Sequence, residues 1–145
     1  MIIICHRINS IKQLKKIPYK YGVEIDVRDY KNKLVLNHDP FKKGETLINY
    51  LKYFKHKFLI INVKSEGIET KIYEILKKKK INNFFFLDIS LPFIIKISES
   101  LTKKISVRVS DMEDIQTAYN FRKKVNWGPE FTAVFASAFH QNVTE

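Results

Sequence analysis

Gly22-Val23-Glu24-Ile25-Asp26-Val27-Arg28 is the stretch that decides how this chain is read. Its apolar residues alternate with polar ones, the period of an extended strand, so Val23, Ile25 and Val27 share one face and Glu24 and Asp26 the other. Two carboxylates on one face of an otherwise apolar run are costly to bury unless positive charge or hydrogen-bond donors satisfy them. A hard divalent cation does this economically with oxygen ligands. The structural alternative is an ion pair from Glu24 to Lys20 or Arg28, with Asp26 capping the turn that follows.

Outward from this stretch, apolar runs bounded by turn signals recur at residues 2–6, 34–36, 58–64, 84–88 and 106–109, and residues 125–127 start one more. Between them, residues 10–17, 45–54, 66–80, 92–101 and 112–123 carry apolar side chains at helical spacing, such as Ile68, Ile72, Ile75 and Leu76. Strands alternating with amphipathic segments predict βα units and a parallel sheet. The sequence therefore predicts an α/β fold, an incomplete TIM-type (β/α) barrel of about five to six parallel strands with crossover helices. Tyr30-Lys31-Asn32-Lys33 reads as a turn, so a small hairpin is expected after the second strand. An incomplete barrel leaves a strand edge open and predicts self-association through it.

With 145 residues, 45% of them hydrophobic and 28% charged, the chain suits one core and not a disordered or fibrous protein. Met1 runs directly into Ile2, Ile3 and Ile4, which predicts no leader and a cytoplasmic location, and no apolar run reaches the ~18 residues of a membrane span. Cys5 is the sole cysteine, so neither an intrachain disulfide nor a cysteine-based zinc site is available. The formal charge of +11 invites a nucleic-acid reading, yet only Arg7, Arg28, Arg108 and Arg122 of the 26 basic residues are arginines. General lysine enrichment accounts for the charge better than a phosphate-gripping surface, so no nucleic-acid partner is expected. Residues 128–145 contain no Lys, Arg or Ile, which divides the chain into a 1–127 domain and a compositionally distinct tail; His140 in that tail is given no role.

Polar groups collect where the expected strands end. His6 ends the first and Arg7 follows it; His38 and Asp39 follow the hairpin; Asn62 and Lys64 share a face of the 58–64 run; Asp88 ends the next, and Arg108 lies within the last. In parallel β/α folds catalytic groups gather at that edge. Each also has an ordinary reading: Asp39 before Pro40 suits a turn, Asn62 can satisfy backbone groups, and Cys5 suits core packing. His56, among lysines, reads as a solvated residue at a helix end, and Tyr19, Tyr21 and Phe41 as packing residues or the lining of a headgroup pocket.

The ordered string His6-Arg7, Gly22 to Arg28, then Leu34-Val35-Leu36 followed by His38-Asp39, resembles the glycerophosphodiester phosphodiesterase family. Leu59-Ile60-Ile61-Asn62-Val63-Lys64 extends the likeness more weakly. The resemblance implies a phospholipase-C-like TIM barrel in which calcium or magnesium assists cleavage of a glycerophosphodiester, a small-molecule substrate, to a phosphomonoester and an alcohol. It implies His6 as general base, His38 as general acid, Glu24 and Asp26 as metal ligands with Asn62 as a weaker third, Arg7 and Lys64 on the phosphate, and Asp39 and Asp88 in support. Ile8 stands where the family usually has glycine, and Asn62 where it usually has glutamate.

Overall fold

A computed structural model describes residues 2–96, 101, 104–109, 114–116, 119–120 and 132–135. The expected strand at 125–127, His140, the side chain of Arg108 and most of the 112–123 and 128–145 segments lie outside the described residues.

The architecture corrects the barrel expectation. The main body is an open, mixed, six-stranded sheet. Its strands are β1 (Ile4–Cys5), β2 (Gly22–Tyr30), β3 (Lys33–Leu36), β4 (Glu45–Thr46), β5 (Phe58–Val63) and β6 (Phe84–Leu87). Strands β1, β2, β5 and β6 pair in parallel, whereas β3 runs antiparallel to both β2 and β4. One edge of β2 is divided: its start pairs with β1, Cys5 opposite Val23, and its end with β3, Val27 opposite Leu36. A barrel needs parallel neighbours continuing on both sides, and the β3–β4 pair turns that side of the sheet into an antiparallel margin. The helical layer is also thin. Helices α1 (Ile11–Leu14) and α2 (Leu47–Tyr50) are single turns, and among the described residues α3 (Glu69–Lys78) and the shorter α4 (Leu91–Lys96) are the helices that extend further. Strands β7 (Ser106–Val109) and β8 (Thr132–Phe135) form a separate parallel pair, and a bridge from Phe86 to Ile105 leads towards it.

Local sequence explains the elements that form. Lys31 and Asn32 both take left-handed backbone, with φ of 46° and 62°, the arrangement that lets a two-residue turn follow strand twist and join β2 to β3. The Ser10 hydroxyl accepts the Gln13 N–H and caps α1, and Thr46 does the same for Asn49 and α2. Gly67, at φ 87°, turns the chain into α3, whose last turn carries Lys77 and Lys78 against the negative end of the helix.

The apolar face of β2, Val23, Ile25 and Val27, is fully buried with Leu59 and Ile61 of β5 and Phe86 of β6 in one core that also takes Leu14, Leu47, Tyr50, Ile72 and Leu76. Tyr50 completes its burial by donating its hydroxyl to the Ile8 carbonyl at 2.8 Å, and burial pushes that phenol well above its usual range. His56 is also interior, 6% exposed, with Nε2 at 3.0 Å from the Ile17 carbonyl and its ring edge-on to Tyr19, so it is not the solvated residue its lysine neighbours suggest. Among the described residues no helix is long and apolar enough to cross a membrane.

Glu69 at the start of α3 is fully buried, and desolvation raises its carboxyl above the ordinary value of 4.5 despite the opposing pull of the Gly67 and Glu69 amides. A carboxyl that holds its proton more tightly when folded favours the fold at low pH and withdraws that stability as pH rises through 4.5 and beyond. Glu69→Gln is therefore expected to raise the thermal midpoint at pH 7 and to change it little at pH 4, as read by unfolding scans at the two pH values.

Candidate functional site

The parallel register places the site residues side by side. Asp26 lies opposite Asn62, and Glu24 two residues earlier shares its face. Lys64 and Asp88 follow the ends of β5 and β6, and His6 and Arg7 follow β1. The divided edge of β2 leaves an interval between the end of β1 and the start of the β3 pairing. There the Glu24 and Asp26 carbonyls accept from the N–H groups of Ile8 and Asn37 at 2.9 and 3.1 Å. Loops thus replace a strand in that interval, and the loops carry the chemistry.

Glu24 and Asp26 are 2% and 0% exposed. Oε2 of Glu24 accepts the backbone N–H of Arg7 at 2.7 Å and lies 3.5 Å from Nε2 of the exposed His6. Asp26 is gripped twice by Asn9, whose amide donates to Oδ2 at 2.8 Å and whose Oδ1 accepts the Asp26 backbone N–H at 2.8 Å. The Lys64 ammonium stands 3.8 Å from Oδ1 of Asp26 and 3.3 Å from Oδ2 of Asp88. Three buried oxygens on this face make no hydrogen bond: Glu24 Oε1, Asp26 Oδ1 and Asn62 Oδ1. Hard-donor oxygens desolvated without a proton donor suit a calcium or magnesium ion. Among the described residues no three His, Cys, Asp or Glu side chains form a group that could hold a metal ion, and the third oxygen on this face is the Asn62 amide.

The second histidine is organised by the loop after β3. Nε2 of His38 lies 3.0 Å from Nη2 of Arg7, and a guanidinium only donates, so Nε2 accepts and Nδ1 carries the proton. Nδ1 then donates to Oδ1 of Asp39 at 3.1 Å. Lys42 binds the other Asp39 oxygen at 2.7 Å, and the hydrogen bonds of Lys42 and His38 hold the Asp39 carboxyl down at about 2. Arg7 and Asp88 both adopt left-handed backbone, φ 55° and 59°, a conformation that costs a non-glycine residue about 1–3 kcal/mol and recurs at functional sites. A cleft of about 370 Å³ opens between α1 and the 37–44 loop beside Arg7 and His38, and a second of about 340 Å³ opens beside Lys64 and Asp88.

The structure brings His6, Arg7, Glu24, Asp26, His38, Asp39, Asn62, Lys64 and Asp88 to one margin of the sheet. Two further residues escape sequence reasoning. Asn9 has no role in the sequence reading, and its bidentate grip on Asp26 has no spacing signature. Arg28 reads as a partner for Glu24. Instead its guanidinium donates to the His38 carbonyl at 2.7 and 3.0 Å and to the Lys64 carbonyl at 3.0 Å, tying the two site loops together.

Comparisons of the chain with protein-family models, with curated proteins and with solved structures gave no match.

Replacing Asn9 with Ala removes both bonds to a fully buried carboxylate and is expected to cost about 2–3 kcal/mol in urea unfolding. Arg28→Met should cost a similar amount, about 2 kcal/mol, through the two carbonyls it leaves without their charged donor. A loss below about 0.5 kcal/mol, the range of an ordinary surface change, would contradict these roles.

Proposed function

We propose that this chain is a divergent, metal-dependent phosphodiesterase of the glycerophosphodiester type. One observation carries the reading: two histidines, Arg7 and Lys64 surround a face on which Glu24, Asp26 and Asn62 each present a buried oxygen that makes no hydrogen bond. The ordered motifs from His6 to Lys64 support it from the side of sequence. The open sheet carries these residues without a barrel.

In this reading Glu24, Asp26 and Asn62 hold calcium or magnesium, which when bound supplies neutralisation of the charge on the phosphoryl oxygens. Lys64, beside Asp26 and Asp88, contacts the same phosphate as a point charge, and Arg7 grips it through its forked guanidinium. His6 projects into solvent next to Glu24 and withdraws the proton from the attacking hydroxyl. His38 protonates the leaving alcohol from Nε2 while Asp39 accepts from Nδ1 and stabilises the charged ring. That role requires Arg7 to leave Nε2 and Nε2 to take a proton from solvent, and a bound phosphate offers the guanidinium a stronger, bidentate partner. Substrate binding then frees the nitrogen that is protonated before the alcohol leaves.

A second reading has its own support. With only two carboxylates and an amide as donors, the cation site is weak, and Arg7 and Lys64 suffice to bind a phosphorylated small molecule without turnover.

Thermal unfolding with calcium or magnesium titrated in should show a rising midpoint for the parent chain and none for the Glu24→Gln/Asp26→Asn double variant. With metal present, hydrolysis of a generic phosphodiester should fall at least about a hundredfold in His6→Ala or His38→Ala. Phosphate binding without metal-dependent turnover would establish the second reading and remove the first.

A further inference from the structure

Phe41 is 93% exposed, the most exposed of the large apolar side chains among the described residues, and its backbone is left-handed at φ 60°. Packing, its ordinary use, is therefore not its use here. The loop that carries it, Asp39-Pro40-Phe41-Lys42-Lys43-Gly44, is closed on itself. Asn37 holds both limbs, with Oδ1 accepting the Asp39 N–H at 2.9 Å and Nδ2 donating to the Lys43 carbonyl at 2.9 Å. Lys42 bonds across to Asp39, and Gly44 lies against the Leu36 carbonyl, where a Cβ would collide. A loop built this firmly presents the ring to solvent and does not fold it back onto the body.

Around the ring, Pro40, Lys42, Lys43 and Gly44 are all exposed, so the loop offers one apolar wedge flanked by the Lys43 ammonium and by Lys42, whose ammonium pairs with Asp39. A protein partner generally meets a wider apolar patch. A single wedge with flanking cations matches a fluid interface whose outer layer is anionic and whose interior closes around an inserted ring. We propose that the 39–44 loop docks the protein on an anionic lipid surface, with Phe41 entering the boundary between headgroups and acyl chains and Lys43 meeting the lipid phosphates. The cleft beside Arg7 and His38 is lined by Asp39 and Gly44 of the same loop, so docking sets the mouth of the candidate site against that surface. The docking stands apart from the proposed catalysis, because vesicle binding is read with no substrate turned over.

The test is co-sedimentation of the full chain with vesicles of phosphatidylcholine alone and of phosphatidylcholine with an equal part of phosphatidylglycerol. The mixed vesicles should bind the parent chain and the neutral ones far less. Phe41→Ser should weaken that binding about tenfold or more, and Phe41→Trp should keep it. Lys43→Gln should weaken it about fivefold. The exposed Phe41 position leaves the thermal midpoint of Phe41→Ser at the parental value, which separates lost docking from lost folding. Absent binding to the mixed vesicles, or binding that Phe41→Ser leaves intact, overturns the proposal. So does self-association in sedimentation equilibrium that Phe41→Ser abolishes, which would make a second copy the occupant, or single-stranded DNA binding that depends on Phe41 as strongly as vesicle binding does.

Discussion

The interior position of Glu24 and Asp26 is the constraint from which the rest follows. A strand that buries Val23, Ile25 and Val27 on one face and two carboxylates on the other cannot be satisfied by packing alone. Charge-compensating groups have to reach the second face, and they arrive from three directions. The Arg7 amide comes from the end of β1, the Asn9 amide from the approach to α1, and the Lys64 ammonium from the end of β5. Each brings its loop to the same margin of the sheet. The oxygens still lacking donors after this are the ones on which the cation argument rests.

Division of the β2 edge makes that convergence possible. A full-length neighbour would occupy the Glu24 and Asp26 carbonyls with a regular ladder and leave no room for side chains. Because β1 stops at Cys5 and the β3 pairing stops at Leu36, loop amides from Ile8 and Asn37 complete the hydrogen bonds there. Arg28 bonds the carbonyls of His38 and Lys64 and so ties the loop bearing the second histidine to the one bearing the lysine.

Much of this was legible locally and little of it globally. Alternation at Val23 to Val27 marked the strand and put both carboxylates on one face, and Lys31-Asn32 marked the turn. Parity then grouped Asn62 with Lys64. What period could not reveal was how the strands share edges: the Tyr30 to Lys33 turn announced the antiparallel β2–β3 pair, but nothing in Glu45-Thr46 announced a further antiparallel strand beyond it. Helical spacing was likewise counted over segments that form one turn, because apolar residues at 47, 50 and 51 satisfy a helix face and an irregular core segment equally. Asn9 and Arg28 were invisible for another reason: their partners lie 10 to 36 residues away along the chain. His56 was misread from its neighbours, which are lysines, when its ring is held by Tyr19 and the Ile17 carbonyl.

Parallel pairing of β2 with β5 and of β5 with β6 also governs when the margin comes into existence during synthesis. The β2–β3 hairpin closes over two residues and can form as soon as it leaves the ribosome, whereas Asp26 meets Asn62, and Lys64 meets Asp88, only after long segments have been ordered. Until then Asp26 lacks its Asn62 neighbour, and Lys64 lacks Asp88. A chain in which β5 and β6 have not yet joined β2 therefore holds the Glu24 and Asp26 carboxylates on one strand without the groups that meet them in the folded protein.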